Sequence, residues 1–196
     1  MRKALVVGIN YYENGHHLHG CVNDAQSVYN FLSRNEDGSK NFDVKMLLGS
    51  DASNSVTKSD LLGHLKDLFS VHEGVALFYF AGHGYLDKFG GYLISSDTNK
   101  PDDEIDLNKI ITFADESKAQ NRIIILDSCH SGDLGSVSIN RSVSALKDGT
   151  TILTASTAEQ YSTEQNGVGL FTSLLVDAFS GQAANLLGDV SPGSVY

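Results

Sequence analysis

The sequence predicts an α/β protein built on one open, doubly wound, mostly parallel sheet with helices on both faces. Three observations predict it. Five apolar runs alternate with segments in which apolar residues recur at helical spacing. The runs at 4–9, 74–82 and 122–127 are apolar at nearly every position, as strands are when helices cover both faces of a sheet. A length of 196 residues suits one continuous core, so residues 1–196 are expected to form one domain.

Taken in order, "ALVVGI" (4–9) is the first expected strand, and Ala25, Val28, Phe31 and Leu32 mark the apolar face of a first helix that begins near Asn23. "FDVKMLL" (42–48) is the second strand, followed by a helix carrying Leu61, Leu65, Leu68 and Phe69. "GVALFYFAG" (74–82) leads to a helix with Leu107, Ile110, Ile111 and Ala114. "RIIILD" (122–127) and "TTILTAS" (150–156) complete the sheet, and Phe171, Leu174, Leu175 and Ala178 mark the face of a last helix. Polar turns fall at 34–41 and 96–104, and a Ser- and Gly-rich loop at 131–149. Near the end, Ser191 and Pro192 have the chemistry of a helix start with no helix after them, so the domain is expected to be cut from a longer chain.

Composition narrows the function. A net charge of −10 disfavours nucleic acid, whose phosphates require clustered Lys and Arg. No run approaches the length of a membrane span, so no membrane partner is expected. The opening "MRKALVVGIN" lacks the small-residue cleavage site of a signal peptide. Two cysteines in dissimilar surroundings make no disulfide framework, which points to a reducing cytoplasm. "GINYYENG" has neither the glycine spacing of a dinucleotide fold nor a P-loop lysine, and "HHLHGC" lacks the paired spacing of a metal site.

In open α/β sheets, sites form beyond the carboxyl ends of the strands. Two strands end in reactive groups. One runs into "AGHGY", with His83 between two glycines, and the other into "ILDSCHSG", with Cys129 just past its edge. If these strands are neighbours, imidazole and thiol meet at one rim. A thiol is a weak nucleophile until a base raises its thiolate fraction, and an imidazole can do so and later protonate a leaving amine. His83 is the expected general base and acid, and Cys129 the nucleophile. Gly82 and Gly84 let backbone approach a substrate, and the N–H groups of Gly84 and Cys129 are candidate oxyanion donors. His130 is assigned to packing.

These residues resemble a family. "FYFAGHGY" followed, 46 residues after His83, by the cysteine of "ILDSCHSG" is similar to the catalytic His and Cys of the caspase-like cysteine peptidases, closest to metacaspases and their bacterial relatives. "VGINYY", "LHGCVNDA" (18–25), "LTASTAEQYS" and "GLFTSLLVDAF" fall in family order over nearly the whole chain. The caspase signature itself is absent, since Asp127 and Ser128 precede the cysteine. The resemblance implies the caspase-like fold and a cysteine endopeptidase. It assigns Asp24 and Asp127, with Cys21 and Ser156, to the pocket for the residue before the cut. Two carboxylates there attract a guanidinium or ammonium and repel an acid, so cleavage is expected after Arg or Lys of a protein or peptide substrate.

As a helix-start residue alone, Asp24 would instead face its own helix dipole, and Cys21 fits a small buried apolar position equally well. "YLISSDTNKPDDEI" resembles an acidic stretch that binds activating calcium in some metacaspases, through Asp97, Asp102 and Asp103, although such turns are also ordinary solvated surface. No other cofactor is expected. Arg141 and Lys147 in the loop after the cysteine suit self-processing. The reading from another class is a caspase-like scaffold that acts through protein binding without catalysis.

Overall fold

The computed structural model describes residues 1–88, 90–100, 103–130, 147–155 and 169–182, with the backbone alone at Leu86, Cys129 and His130. In chain order the elements are β1 (Arg2–Ile9), α1 (Cys21–Ser33), β2 (Asp43–Gly49), α2 (Lys58–Phe69), β3 (Val75–Leu86), β4 (Gly91–Leu93), β5 (Ile105–Asp106), α3 (Leu107–Glu116), β6 (Asn121–His130), β7 (Thr150–Thr154) and α4 (Leu170–Asp177). The five long strands pair in parallel in the order β2, β1, β3, β6, β7, and the short β4 and β5 add antiparallel beyond the end of β1. The expected α/β architecture is therefore the observed one.

Strand alternation sorts the core onto two sides. Leu5, Val7 and Ile9 of β1, Phe78 and Phe80 of β3, and Ile124 and Leu126 of β6 pack with Leu61, Leu65 and Phe69 of α2 and Ile110 and Ala114 of α3. The intervening Ala4, Val6, Leu77, Tyr79, Ala81 and Ile125 pack with Ala25, Val28 and Leu32 of α1 and Leu175 of α4. Both parities are buried, which is why these strands read as continuous apolar runs.

Local chemistry sets where the helices begin. Thr57 caps α2 by accepting from the Asp60 N–H at 3.1 Å, and Asp106 caps α3 by accepting from the Asn108 N–H at 2.8 Å. The first helix starts at Cys21 rather than near Asn23. Its cap residue, Gly20, has no side chain to offer, and Asn10 at the end of β1 serves instead. The Asn10 side-chain Oδ1 accepts from the Val22 N–H at 3.3 Å while its Nδ2 donates to the His19 carbonyl at 3.1 Å. The crossing is close enough that a Cβ on Gly8 would lie 2.2 Å from the Cys21 carbonyl oxygen.

Two other expectations are corrected, and Gly82 and Gly84 gain a second role. The third and sixth strands run on through His83 and Cys129, because β4 takes over as hydrogen-bonding neighbour where β1 stops. Gly82 and Gly84 serve the protein's own packing. A Cβ at 82 would meet the Tyr12 hydroxyl at 2.7 Å, and one at 84 would meet the Ser128 hydroxyl and the Tyr92 carbonyl at 3.0 Å. On α4 the buried residues are Thr172 and Leu175, whereas Leu174 is 60% exposed. The helix is rotated from the face its apolar residues suggested, and its inward hydroxyl supplies the reason below. The chain then kinks over Ala178–Gln182, where Gly181 adopts a φ of 105°. Among the described residues no helix is long and apolar enough to cross a membrane.

Candidate active site

The register of β3 against β6 decides what meets at the rim. Their pairing runs from Val75 beside Asn121 to Gly84 beside His130, which makes His83 and Cys129 direct partners. Register partners in parallel strands lie on the same face of the sheet. Two residues remote in sequence are thus adjacent, as the strand-end argument required. Gly84 sits in the ladder between His130 of β6 and Leu93 of β4, and the Ile94 N–H donates to the His83 carbonyl at 3.0 Å.

His83 is held from three directions. Its backbone N–H donates to the Tyr12 hydroxyl oxygen at 2.8 Å, and the two rings lie 4.6 Å apart. Its Nε2 lies 2.8 Å from the His16 carbonyl oxygen. A carbonyl accepts only, so Nε2 carries the proton and Nδ1 is left as the acceptor. Burial pulls the imidazole below its ordinary titration range, against the opposing pull of the His16 carbonyl. The ring is therefore neutral at neutral pH, the form a base requires. Tyr12 is in turn almost wholly buried, its N–H donating to His17 Nδ1 at 3.2 Å, and burial keeps its phenol protonated throughout the working range.

The acids converge beside this pair, on the side of the sheet that α1 and α4 cover. Asp24, 4% exposed in the first turn of α1, accepts at Oδ1 from the Gly169 N–H at 2.8 Å. Asp127, two residues before Cys129, accepts at Oδ2 from the Thr172 hydroxyl at 2.6 Å. Thr172 spends its proton on that carboxylate, so the hydrogen bond between Tyr79 and Thr172 has the Tyr79 hydroxyl as donor. A Cβ on Gly169 would lie 3.2 Å from Asp24 Oδ2 and 3.5 Å from Asp127 Oδ2, so both carboxylates face one α-carbon. Burial raises the Asp127 carboxyl above the usual range, and the Thr172 and Tyr79 hydroxyls oppose that rise. Asp24 thus does more than meet its own helix dipole.

Cys21 is half-buried at the head of α1, against the same core side. Ser156 lies outside the described residues. Beyond His83, away from the acids, a cavity of about 410 Å³ is lined by His16, His83, Tyr85, Asn99, Lys100 and Glu104, among others.

The described residues do not form a calcium site by themselves. Asp97 Oδ1 accepts from the Lys58 N–H at 2.9 Å and the Ser95 hydroxyl at 2.7 Å, so it ties the head of α2 to the turn. Asp103 Oδ2 closes its own turn by accepting from the Lys100 N–H at 3.1 Å. Asp102 lies outside the described residues, and among those described no three His, Cys, Asp or Glu side chains are grouped to hold a metal ion. In "HHLHGC", His17 stacks on Tyr11 at 5.1 Å and the His16 carbonyl engages His83.

A wound parallel sheet with His and Cys in register and acids beside them is the arrangement of a caspase-like domain. The chain belongs to the caspase domain family, peptidase C14, whose model matches residues 1–191. It is 38% identical over 88 residues to metacaspase-1 of Kluyveromyces lactis, covering 42% of this chain and 20% of that protein. It is 32% identical over 153 residues to metacaspase-6 of Arabidopsis thaliana, covering 68% of this chain and 39% of that protein. The chain thus spans only a fifth to two fifths of these relatives. A crystal structure of a protein from Geobacter sulfurreducens shares the fold with a TM-score of 0.67 at 16% identity, over 91% of this chain and 81% of that one.

Sequence reasoning missed five participants: Tyr12, the His16 carbonyl, Tyr79, Gly169 and Thr172. Backbone groups leave no trace in residue type, and Tyr79 within "LFYF" reads as core. A usable signal existed for one of them, since Thr172 is a polar residue inside the apolar "GLFTSLLV".

Proposed function

We propose that this chain is a cysteine endopeptidase that hydrolyses protein or peptide substrates after Arg or Lys. The observation that carries the reading is the pairing of His83 with Cys129 on adjacent strands, with Asp24 and Asp127 gathered on one α-carbon beside them. His83 Nδ1 takes the Cys129 thiol proton, and the thiolate attacks the carbonyl carbon of the scissile bond. Backbone N–H groups of Gly84 and Cys129 hold the resulting oxyanion. Collapse breaks the C–N bond, and the imidazolium gives its proton to the departing amine. Water, deprotonated by the same imidazole, then cleaves the thioester and releases the new carboxylate with the thiol restored.

The acid pair supplies the choice of substrate. A guanidinium or ammonium entering between two carboxylates is attracted by both, whereas an aspartate side chain is repelled. A free thiol nucleophile suits a reducing, cytoplasmic setting. Self-cleavage after Arg141 belongs to the same proposal. Lys147 is the weaker site, because its Nζ donates to the Asp115 carbonyl at 2.9 Å where β7 is about to begin. Calcium is proposed only as an activator, read as a gain of activity over a chelator-treated sample, and no step runs through it.

Fluorogenic peptides that differ only in the residue before the reporter test the proposal. Arg and Lys peptides are cut, the Asp peptide is not, and Cys129→Ala and His83→Ala abolish the cut. Turnover that survives Cys129→Ala contradicts the mechanism, and faster cleavage after Asp contradicts the specificity.

A further inference from the structure

The acids that would select a basic side chain are held in place by the start of a helix whose first turn carries no charge. Asp24 comes from α1 and Asp127 from β6, and what joins them is the first turn of α4. The Gly169 N–H binds Asp24, Thr172 binds Asp127, and Tyr79 lies behind Thr172 as the donor that completes its hydrogen bonding. Thr172 is fully buried, with no solvent to replace either bond. A buried threonine hydroxyl on the inward face of a helix carries a cost that only a matched partner offsets. The matched acceptor here is Asp127.

We infer that Thr172, backed by Tyr79, is a positioning residue for substrate specificity: it keeps the Asp127 carboxylate ionised and aimed beside Asp24 so that both can engage one basic side chain. The inference rests on the proposed preference for Arg or Lys. Two buried carboxylates near each other resist simultaneous ionisation, and the pair stays charged only if donors stabilise it. Tyr79 is influenced by Asp127, Asp24 and Cys21, so these four titratable groups share one neighbourhood. Against the burial that pushes the Asp127 carboxyl upward stand the Thr172 hydroxyl first, then the Tyr79 hydroxyl and the Thr172 backbone N–H, and the Thr172 hydroxyl bond at 2.6 Å is the one a side-chain change removes. Removing that donor pushes it further in the same direction.

The test uses the whole chain and two readouts. Thr172→Val keeps the shape and removes the hydroxyl, whereas Thr172→Ser keeps the hydroxyl and removes a methyl. The Val variant is expected to lose about tenfold in kcat/KM on Arg peptides at mildly acidic pH, as for a lost bond to a charged group. The loss is carried by KM, and the acid limb of the pH profile moves upward; the Ser variant keeps the parent profile. In a Cys129→Ala background, carboxyl carbon NMR follows Asp127 directly, and Thr172→Val is expected to raise its titration midpoint.

Should the Val variant fail to fold, Tyr79→Phe must produce an upward shift in the same direction, since it strips the donor from behind Thr172. A midpoint and an acid limb that both stay at the parent position overturn the inference even if Arg is still preferred. A raised midpoint in a protein that never preferred basic residues overturns instead the specificity reading, and with it the functional half of the inference.

Discussion

Tyr12→Phe removes one oxygen from the molecule, and the structure says what that oxygen does. It accepts the His83 backbone N–H at 2.8 Å, and the ring around it is 1% exposed and packed 4.6 Å from the imidazole. Phenylalanine keeps the ring, so hydrophobic burial is nearly unchanged and the cost is that of a stranded donor. A half-buried N–H left without a partner costs about 1–3 kcal/mol. Urea unfolding should register that loss as a lower midpoint at unchanged slope.

The same bond fixes the backbone that carries the proposed general base, while the His16 carbonyl fixes the ring. With one of these restraints gone, kcat should fall on the order of tenfold, the equivalent of about 1.4 kcal/mol. KM should hold, because Tyr12 makes no hydrogen bond to either acid of the pocket. Burial keeps the phenol protonated, so the effect should be the same across the working pH range. A variant destabilised as expected but fully active would show that Tyr12 only supports the fold. A variant with unchanged stability would show that the hydrogen bond carries no weight.

Two further outcomes follow from the packing and the acids. Gly8→Ala places a methyl 2.2 Å from the Cys21 carbonyl and 2.7 Å from Ala25 Cβ, both in α1, so the helix must shift and take Asp24 with it. A stability loss of about 1–3 kcal/mol together with a raised KM for Arg peptides is expected, and an unchanged KM would refute the link between that crossing and the pocket. Asp127→Asn should raise the melting temperature at pH 7 and leave it unchanged near pH 3. The Asp127 carboxyl is raised above its ordinary 3.8 by burial, so the stability it contributes is present below that value and lost as pH rises through the folded one. A variant that gains as much at pH 3 as at pH 7 would contradict the assignment.

Much of this was legible in the sequence because its determinants are local. Apolar runs such as "ALVVGI" and "RIIILD" have no other stable use than buried strands, and a histidine and a cysteine at the ends of two of them are hard to place elsewhere than the rim. What escaped depends on partners distant in the chain. β5 has only two residues, Ile105 and Asp106, and its pairing with β4 cannot be read from such a fragment. The start of α1 depends on Asn10, eleven residues earlier than Cys21, rather than on a cap of its own. The rotation of α4 depends on Asp127, forty-five residues before Thr172, which turns a hydroxyl inward and leaves Leu174 in solvent. Periodicity ranks residues by polarity, and here a specific hydrogen bond outweighed it.

The central claim is that a thiol paired with His83 reacts with substrates presented through an acid-lined pocket. Labelling with two acyloxymethyl ketone peptides, identical except for Arg or Asp at the position next to the warhead, tests it most directly when the modified residue is located by mass spectrometry. The Arg reagent should add once, at Cys129 and not at Cys21, and His83→Ala should slow the addition severely. Equal labelling by the Asp reagent, attachment at Cys21, or a rate indifferent to His83 would contradict the account.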